Sequence, residues 1–282
     1  MFLNVQQLEE YIDSQKTYLL LSMRDIAQTF NLSSRHLYKD FCGIFYSGNL
    51  HLLKKPKIAI IGTRTPNQYS KQYTAILSAQ LSQSGFVIVS GGAIGIDTIA
   101  HLNSESNSIL VSPVGLHQVY PRQNKALFKQ IQTYGLLLSE YPDNASPRAY
   151  HFLERNRIIV ALSDIVIIPQ ADLQSGSSSS ARLCKALQKP LFVLPQRINE
   201  SLGTQELLNQ GDAKAIYNIE SFVSTLSKTW NLTPQQKEQD GLLDFASNNG
   251  LFVEALQKFG NQVLEYELQG KIRRNGLYIE LC

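Results

Sequence analysis

FVIVSGGAIGID, residues 86–97, runs a short apolar, mostly β-branched stretch into a glycine pair and then into a helix-forming segment. A run of that composition suits a parallel strand covered on both faces. Gly91 and Gly92 lack a Cβ, so their backbone N–H groups can approach a ligand closely. Gly95 lets the next helix pack against the sheet, and the N-terminus of that helix offers unpaired N–H donors and partial positive charge. Strand, glycine turn and helix in this order describe an anion site. They describe equally a tight strand-to-helix turn with no ligand.

Outward from this stretch, apolar runs recur at 57–61, 86–89, 108–111, 136–139, 165–168 and 191–194. Amphipathic segments lie between them at 69–84, 97–103, 122–134, 152–162 and 178–188. The alternation predicts an α/β domain over residues 51–228, with a doubly wound, mostly parallel sheet. Right-handed crossovers bring all the strand carboxyl ends to one edge, where such sheets bind ligands. Small and polar residues cluster there. Gly62-Thr63-Arg64, Ser90-Gly91-Gly92 and Ser112-Pro113 follow the first three runs, and Glu140-Tyr141-Pro142, Pro169-Gln170-Ala171 and Pro195-Gln196-Arg197 the last three.

Two more stretches converge on that edge. Residues 175–180, SGSSSS, form a second glycine- and serine-rich entry into a helix, with hydroxyls and backbone donors suited to phosphate oxygens, or a plain flexible loop. FLERNRIIVAL, residues 152–162, sets Arg155, Asn156 and Arg157 just ahead of an apolar helical run. Arginine there suits phosphate and Asn156 a base or sugar; the other reading pairs the arginines with carboxylates such as Glu140 or Glu154.

The ends read as smaller units. Residues 5–41 are helical in pattern, and MRDIAQTFNLSSRHLYKDF (23–41) fits either a helix-turn-helix with Arg35, His36 and Lys39 toward DNA or an ordinary helical hairpin. Polar residues 229–240, with Pro234, read as a linker. In residues 241–282, helical patterns precede KIRRNGLYIEL, whose Asn275-Gly276 signals a type I′ hairpin turn. Helices closed by such a hairpin look like a winged helix, with Lys271, Arg273 and Arg274 on the wing facing duplex DNA or merely solvated.

Composition bounds the rest. The chain has 282 residues, 43% of them hydrophobic, enough for a full core with smaller appendages. A formal charge of +3 does not announce a nucleic-acid protein, so any such footprint must be local. Three cysteines without CxxC spacing fit a reducing cytoplasm and supply neither a disulfide framework nor a metal site. No apolar run approaches the roughly 20 residues of a membrane span, and no signal pattern opens the chain. No Walker lysine follows the glycines, which argues against ATP hydrolysis.

The order of these motifs resembles the DNA-processing protein A family (DprA, also Smf). The resemblance runs through FYSGNLHLL (45–53), KIAIIGTR (57–64), SGGAIGID (90–97), VYP (119–121), LSEYP (138–142), FLERNRII (152–159), SGSSSSAR (175–182), FVLPQ (192–196) and LEYELQGKIRR (264–274). It implies an extended Rossmann-like protein without catalytic residues or cofactor that binds single-stranded DNA, forms a homodimer and hands the strand to RecA recombinase in natural transformation. In that setting Arg64 reaches a phosphate, Ser90, Gly91 and Gly92 supply backbone donors, Phe152 stacks on a base, Asn156 meets a base edge and Ser175, Gly176 and Ser177 meet the backbone. Arg155 is a further candidate.

Some features depart from the family pattern. Basic residues usual just before the segment matching Phe152 are reduced to Arg148, followed by Ala149, Tyr150 and His151, so Arg148 takes that role from a shifted position. Pro195-Gln196 stands where Pro-Gly is common. The stretch 203–216, with Leu207 and Leu208, is the expected dimer surface. A nucleoside monophosphate phosphoribohydrolase-like enzyme is the alternative on the same kind of sheet, with Asp97, Glu140 and Asp172 as acids, although Asp97 better suits a cap or brace at the helix start and residues 174–177 lack the glutamate such a loop needs.

Overall fold

The computed structural model of the protein describes residues 1–23, 25, 40–173, 175–232, 241–247, 250–268 and 270–281. Most of the expected helix-turn-helix, with Arg35, His36 and Lys39, and most of the expected linker lie outside the described residues. The chain divides into two units, Met1–Pro234 and Gln235–Cys282.

The first unit is built on nine strands: β1 (Phe2–Asn4), β2 (Gly43–Gly48), β3 (Lys57–Ile60), β4 (Val87–Ser90), β5 (Ser108–Val111), β6 (Leu136–Ser139), β7 (Ile165–Ile168), β8 (Leu191–Val193) and β9 (Lys214–Ala215). They lie in the order β1-β2-β6-β5-β4-β3-β7-β8-β9. Every neighbouring pair from β6 to β9 is parallel, and only β1–β2 and β2–β6 are antiparallel. The fold is the expected mostly parallel, Rossmann-like sheet.

Strands β3 to β7 are buried along their whole length because helices cover both faces. In β3, β4 and β7 successive residues alternate between two cores, while in β5 and β6 Leu110 and Leu137 face a third, with Leu127, Phe128 and Ile131. Ala59, Val87, Val89 and Val166 face one, with Ile158 and Leu162 from the helix Ala149–Leu162. Ile58, Ile60, Ile88 and Ile167 face the other, with Leu77 and Leu81 from the helix Gln68–Gln83. This period of two is what a strand imposes on its side chains.

The N-terminal residues hold more than helices. β1 and β2 extend the main sheet beyond β6, while Leu8, Leu19 and Leu20 join the same core as Val89. At the base of the sheet, Lys16 of the helix Ser14–Leu21 bridges Asp164 at 2.5 Å and Asp13 at 2.6 Å. The Asp164 carboxylate also accepts from the Lys57 N–H at 2.8 Å.

From β3 the chain winds outward through β4 and β5 to β6, then crosses back to place β7 on the other side of β3. The reversal puts a crevice at the carboxyl ends of β3 and β7, the point where sheets of this type take ligands. The loops meeting there are 61–67 and 169–175.

The second unit packs the helices Gly241–Ser247, Phe252–Phe259 and Gln262–Leu268 against a hairpin of β10 (Ile272–Asn275) and β11 (Tyr278–Leu281). Leu242, Ala255, Val263, Ile272 and Ile279 form its core. The tight turn falls on Gly276 and Leu277, one residue later than expected. Asn275 pairs with Tyr278, and Gly276 takes φ +63° at the first central position.

Candidate nucleic-acid interface

A cavity of about 780 Å³ opens at the β3–β7 crevice. Thr63 and Arg64 line it from the loop after β3, Phe152 and Asn156 from the 149–162 helix, and Ser175, Gly176 and Ser177 from the cap and first turn of the helix that follows β7. The sequence spreads these three groups over more than a hundred residues, and the switch in strand order brings them together.

Phe152 is half-buried, because the helix begins at Ala149, three residues earlier than expected, and carries its ring inward. Its centroid lies 5.1 Å from that of Tyr120 in an edge-to-face contact, and the Arg64 guanidinium stands 5.6 Å from the same ring. Tyr120 was not singled out by sequence reasoning beyond its place in the VYP motif. A second cavity of about 200 Å³ adjoins the first and shares Arg64, Tyr120 and Phe152 with it. The aromatic pair therefore borders both spaces.

The helix Gly176–Ala186 aims its N-terminus at the larger cavity. Ser175 is its cap: the hydroxyl accepts from the Ser178 N–H at 3.2 Å and donates to the Asp172 carbonyl at 3.0 Å. The side chain of Ser175 thus serves the loop, while Gly176 and Ser177 bring the first turn of the helix to the cavity wall. Asn156 comes within 3.9 Å of where a Cβ on Gly176 would lie. Arg148 is exposed at the rim, with Nη1 donating to the Tyr150 hydroxyl at 3.0 Å.

The glycine turn departs from expectation. Asp97 Oδ2 accepts from the Gly91 N–H at 3.2 Å and the Ala93 N–H at 3.3 Å, so the chain's own carboxylate fills the donor nest. Ser90 is fully buried and its hydroxyl donates to the Ile60 carbonyl at 2.6 Å. Gly92 takes φ +70°, and a Cβ there would lie 2.6 Å from Leu110. Neither Ser90 nor Gly92 lines either cavity, and Gly91 lines only the smaller one. Ser90 and Gly92 thus lie behind the cavity floor, and the Gly91 N–H expected to be a free donor is taken by Asp97.

Arg155 is part of that floor. It is 4% exposed, and Nη1 donates to the Val111 carbonyl at 2.7 Å. Burial pushes its guanidinium down to about 10, Asp97 opposing the shift and Arg64 adding to it, so it stays charged at neutral pH. Burial raises the Asp97 carboxyl above the usual range against the pull of Arg155 and the N–H donors of Ala93 and Gly91. The carboxylate-pairing reading holds for the neighbouring arginine: Arg157, fully buried, donates from Nη2 to both oxygens of Glu140 at 2.6 and 2.7 Å. Glu154 accepts from the Tyr141 hydroxyl.

In the second unit the three basic hairpin residues are exposed, and each has an intramolecular contact. Lys271 stands 4.1 Å from the Tyr266 ring, Arg273 pairs with Glu280 at 2.7 Å, and Arg274 lies 4.3 Å from the Phe252 ring. Among the described residues no cluster of histidine, cysteine and carboxylate side chains has the makings of a metal site, and no helix is long and apolar enough to cross a membrane.

Comparison with known proteins gives a consistent set of likenesses. The family model described as DNA recombination-mediator protein A matches residues 26–227. Protein Smf of Synechocystis is 38% identical over 176 residues, 61% of this chain and 44% of that protein. DNA processing protein DprA of Bacillus subtilis is 35% identical over 198 residues, 68% of this chain and 66% of that protein. The match thus spans less than two thirds of either relative. Among solved structures, DNA processing protein A of Helicobacter pylori, described as having a unique single-stranded DNA binding mode, aligns with a TM-score of 0.67 and 51% identity. That alignment covers 69% of this chain and 91% of the Helicobacter one. The Streptococcus pneumoniae DprA structure aligns with a TM-score of 0.62 and 35% identity, covering 69% of each chain.

Proposed function

This chain belongs to the DNA recombination-mediator protein A family, and on that premise we propose that it binds single-stranded DNA in the β3–β7 crevice and helps load RecA recombinase during natural transformation. One observation carries the reading: an aromatic pair, Phe152 and Tyr120, stands beside Arg64 and lines one open cavity together with the N-terminal turn of the 176–186 helix. A nucleic-acid strand offers the complementary chemistry. Its bases have π-faces that stack on aromatic rings irrespective of sequence, worth about 1–3 kcal/mol each, and its phosphates suit arginine and helix N-termini. The single-stranded DNA binding mode described for the Helicobacter relative supports the same reading.

Arg64, Arg148, Phe152, Asn156, Gly176 and Ser177 are the proposed contact residues. Arg155, Ser90, Gly91 and Gly92 act from beneath. A site of this size holds only a short piece of a polymer, so a homodimer presenting two such sites gains affinity by holding one strand twice. RecA as recipient, the homodimer and a cytoplasmic setting rest on the family. A duplex-DNA role for Lys271, Arg273 and Arg274 belongs to the same proposal.

The reading assigns no bond-breaking step. Asp97, the acid nearest the glycine turn, is held by two backbone N–H groups beside Arg155, an arrangement that favours a structural carboxylate over a general base.

Fluorescence anisotropy with labelled single-stranded and duplex DNA of equal length, at two salt concentrations and with deoxynucleoside monophosphates as competitors, tests the proposal. Preference for the single strand, steep salt dependence and poor competition are expected. Weak DNA binding with effective mononucleotide competition would overturn it in favour of a small-molecule pocket and the phosphoribohydrolase-like alternative.

A further inference from the structure

We propose that Gln170, at the carboxyl end of β7, is a positioning residue for Arg64. The inference rests on the single-strand reading of the cavity. Arg64 lies in the loop joining β3 to the 68–83 helix, and Gln170 holds that loop on both sides of it. The Gln170 carbonyl accepts from the Thr63 N–H at 2.9 Å, and its side-chain Oε1 accepts from the Asn67 N–H at 2.9 Å. The two loops run so close that a Cβ on Gly62 would lie 2.9 Å from the Gln170 carbonyl oxygen.

The clamp continues beyond Asn67. Asn67 Nδ2 donates to Gln196 Oε1 at 3.1 Å, and Gln196 Nε2 donates to the Ser70 hydroxyl at 2.9 Å and the Pro169 carbonyl at 3.0 Å. Asn67 Oδ1 accepts from the Ser70 N–H at 2.7 Å and caps the helix. The loops after β3, β7 and β8 are thereby joined through side chains that do not line the cavity. Only residues 64–66 span the two points fixed by Gln170.

A short segment pinned at both ends has few backbone conformations to lose when its arginine grips a phosphate, so less binding free energy goes into ordering it. Removing the side-chain clamp leaves the charge of Arg64 in place and restores that freedom. Gln170→Ala therefore weakens single-strand binding about 3- to 10-fold with an unchanged salt slope. Loss of the arginine itself lowers the slope.

The experiment is a double-mutant cycle by anisotropy with oligo-dT on the full chain: wild type, Gln170→Ala, Arg64→Ala and the double variant. In the Arg64→Ala background, Gln170→Ala is expected to have little further effect, which general damage to the fold would not produce. Gln170→Glu keeps an acceptor oxygen for Asn67 and should restore affinity at high salt, where its added charge is screened. If Gln170→Ala does not fold, Gln196→Ala breaks the next link and is read in the same cycle. Wild-type affinity for Gln170→Ala, or an equal loss in both backgrounds, overturns the positioning role while leaving the single-strand reading intact. Failure of wild type to bind oligo-dT overturns the reading itself.

Discussion

Nη1 of Arg155 stands 1.8 Å from the point a Cβ on Gly91 would occupy. The glycine therefore leaves room for the guanidinium, which is fixed by its bond to the Val111 carbonyl and by the charge of Asp97. A glycine pair that reads as a ligand cradle is, in this fold, a seat for an internal arginine.

Gly91→Ala must push that guanidinium aside. The side chain is long enough to move, but moving breaks a buried, charge-assisted hydrogen bond. The expected loss is about 1.5–3 kcal/mol of stability. Urea denaturation of Gly91→Ala, Arg155→Ala and the double variant checks it. If the two residues compete for one space, the combined loss falls well short of the sum of the single losses; additive losses would mean that the contact carries no energy.

Arg64→Ala should weaken single-strand binding and reduce the slope of log affinity against log salt by about 1, as expected on losing one phosphate contact. Titration at several salt concentrations reads both quantities. An unchanged slope would mean that Arg64 touches no phosphate.

Phe152→Ala and Tyr120→Ala should each cost about 1–3 kcal/mol of binding with little change in slope, because stacking releases no counterions. Since the two rings touch, the double variant should lose less than the sum. A collapse of stability with affinity preserved would make Phe152 a packing residue only.

How much of this was legible depends on where the determining force lies. The strands announce themselves because a sheet covered on both faces demands continuous β-branched runs, as at Ile165–Ile168. β1 and β2 do not, since β2 is placed by its antiparallel pairing with the distant β6, and β1 by its pairing with β2, rather than by a local pattern. The cavity edge was readable from the residues that follow each strand, and Arg64, Phe152, Asn156 and Ser177 all reach it. The burial of Arg155 was not readable. Arginine in a helix is ordinarily a surface residue, and only the approach of the Gly91 turn and Val111 shows that this one points inward. Asp97 was partly readable: a carboxylate at a helix start suits a brace, and it lies in the first turn of the helix Ile96–Leu102, but its bond back to the Gly91 N–H is a relation between elements rather than a motif.

His101 links stability to acid. It is fully buried, its Nδ1 lies 2.6 Å from the Ser108 hydroxyl, and burial followed by the charge of Arg155 lowers its pKa to about 3. The native state therefore refuses a proton that the unfolded chain takes up near pH 6.5. Stability falls as pH drops from about 6.5 toward 3, by up to about 1.4 kcal/mol per pH unit from this group. Urea midpoints between about pH 6 and 4 should decline less steeply for His101→Asn than for wild type. Parallel declines would show that the imidazole titrates alike in both states.

Lys57 produces the opposite window at alkaline pH. Its ammonium group is sealed at the base of the sheet, donating at 2.7 Å to the carbonyls of Leu53 and Lys55. Burial, with the charge of Lys16 adding, lowers its pKa to about 8, while Asp164 and Asp13 act the other way. The unfolded lysine holds its proton up to about 10.5. Between these values the unfolded state binds more protons than the native state, so stability contributed by this group rises with pH from about 8 to about 10.5, by roughly 3 kcal/mol in all. Lys189, also lowered, adds to the rise, and Lys16, held above its ordinary value by Asp13 and Asp164, works against it. Comparison with Lys57→Met isolates the one group. The methionine variant leaves two carbonyls without their donor, so its stability near neutral pH reflects relief of a buried charge against two lost hydrogen bonds. Its pH dependence has no such competition: the gain between about pH 8 and 10 seen in wild type should shrink, whatever the starting stability. Because Lys57 lies at the opposite end of the strands from the cavity, single-strand affinity near neutral pH should be unchanged. A wild-type gain that survives in Lys57→Met would place the alkaline titration on another lysine.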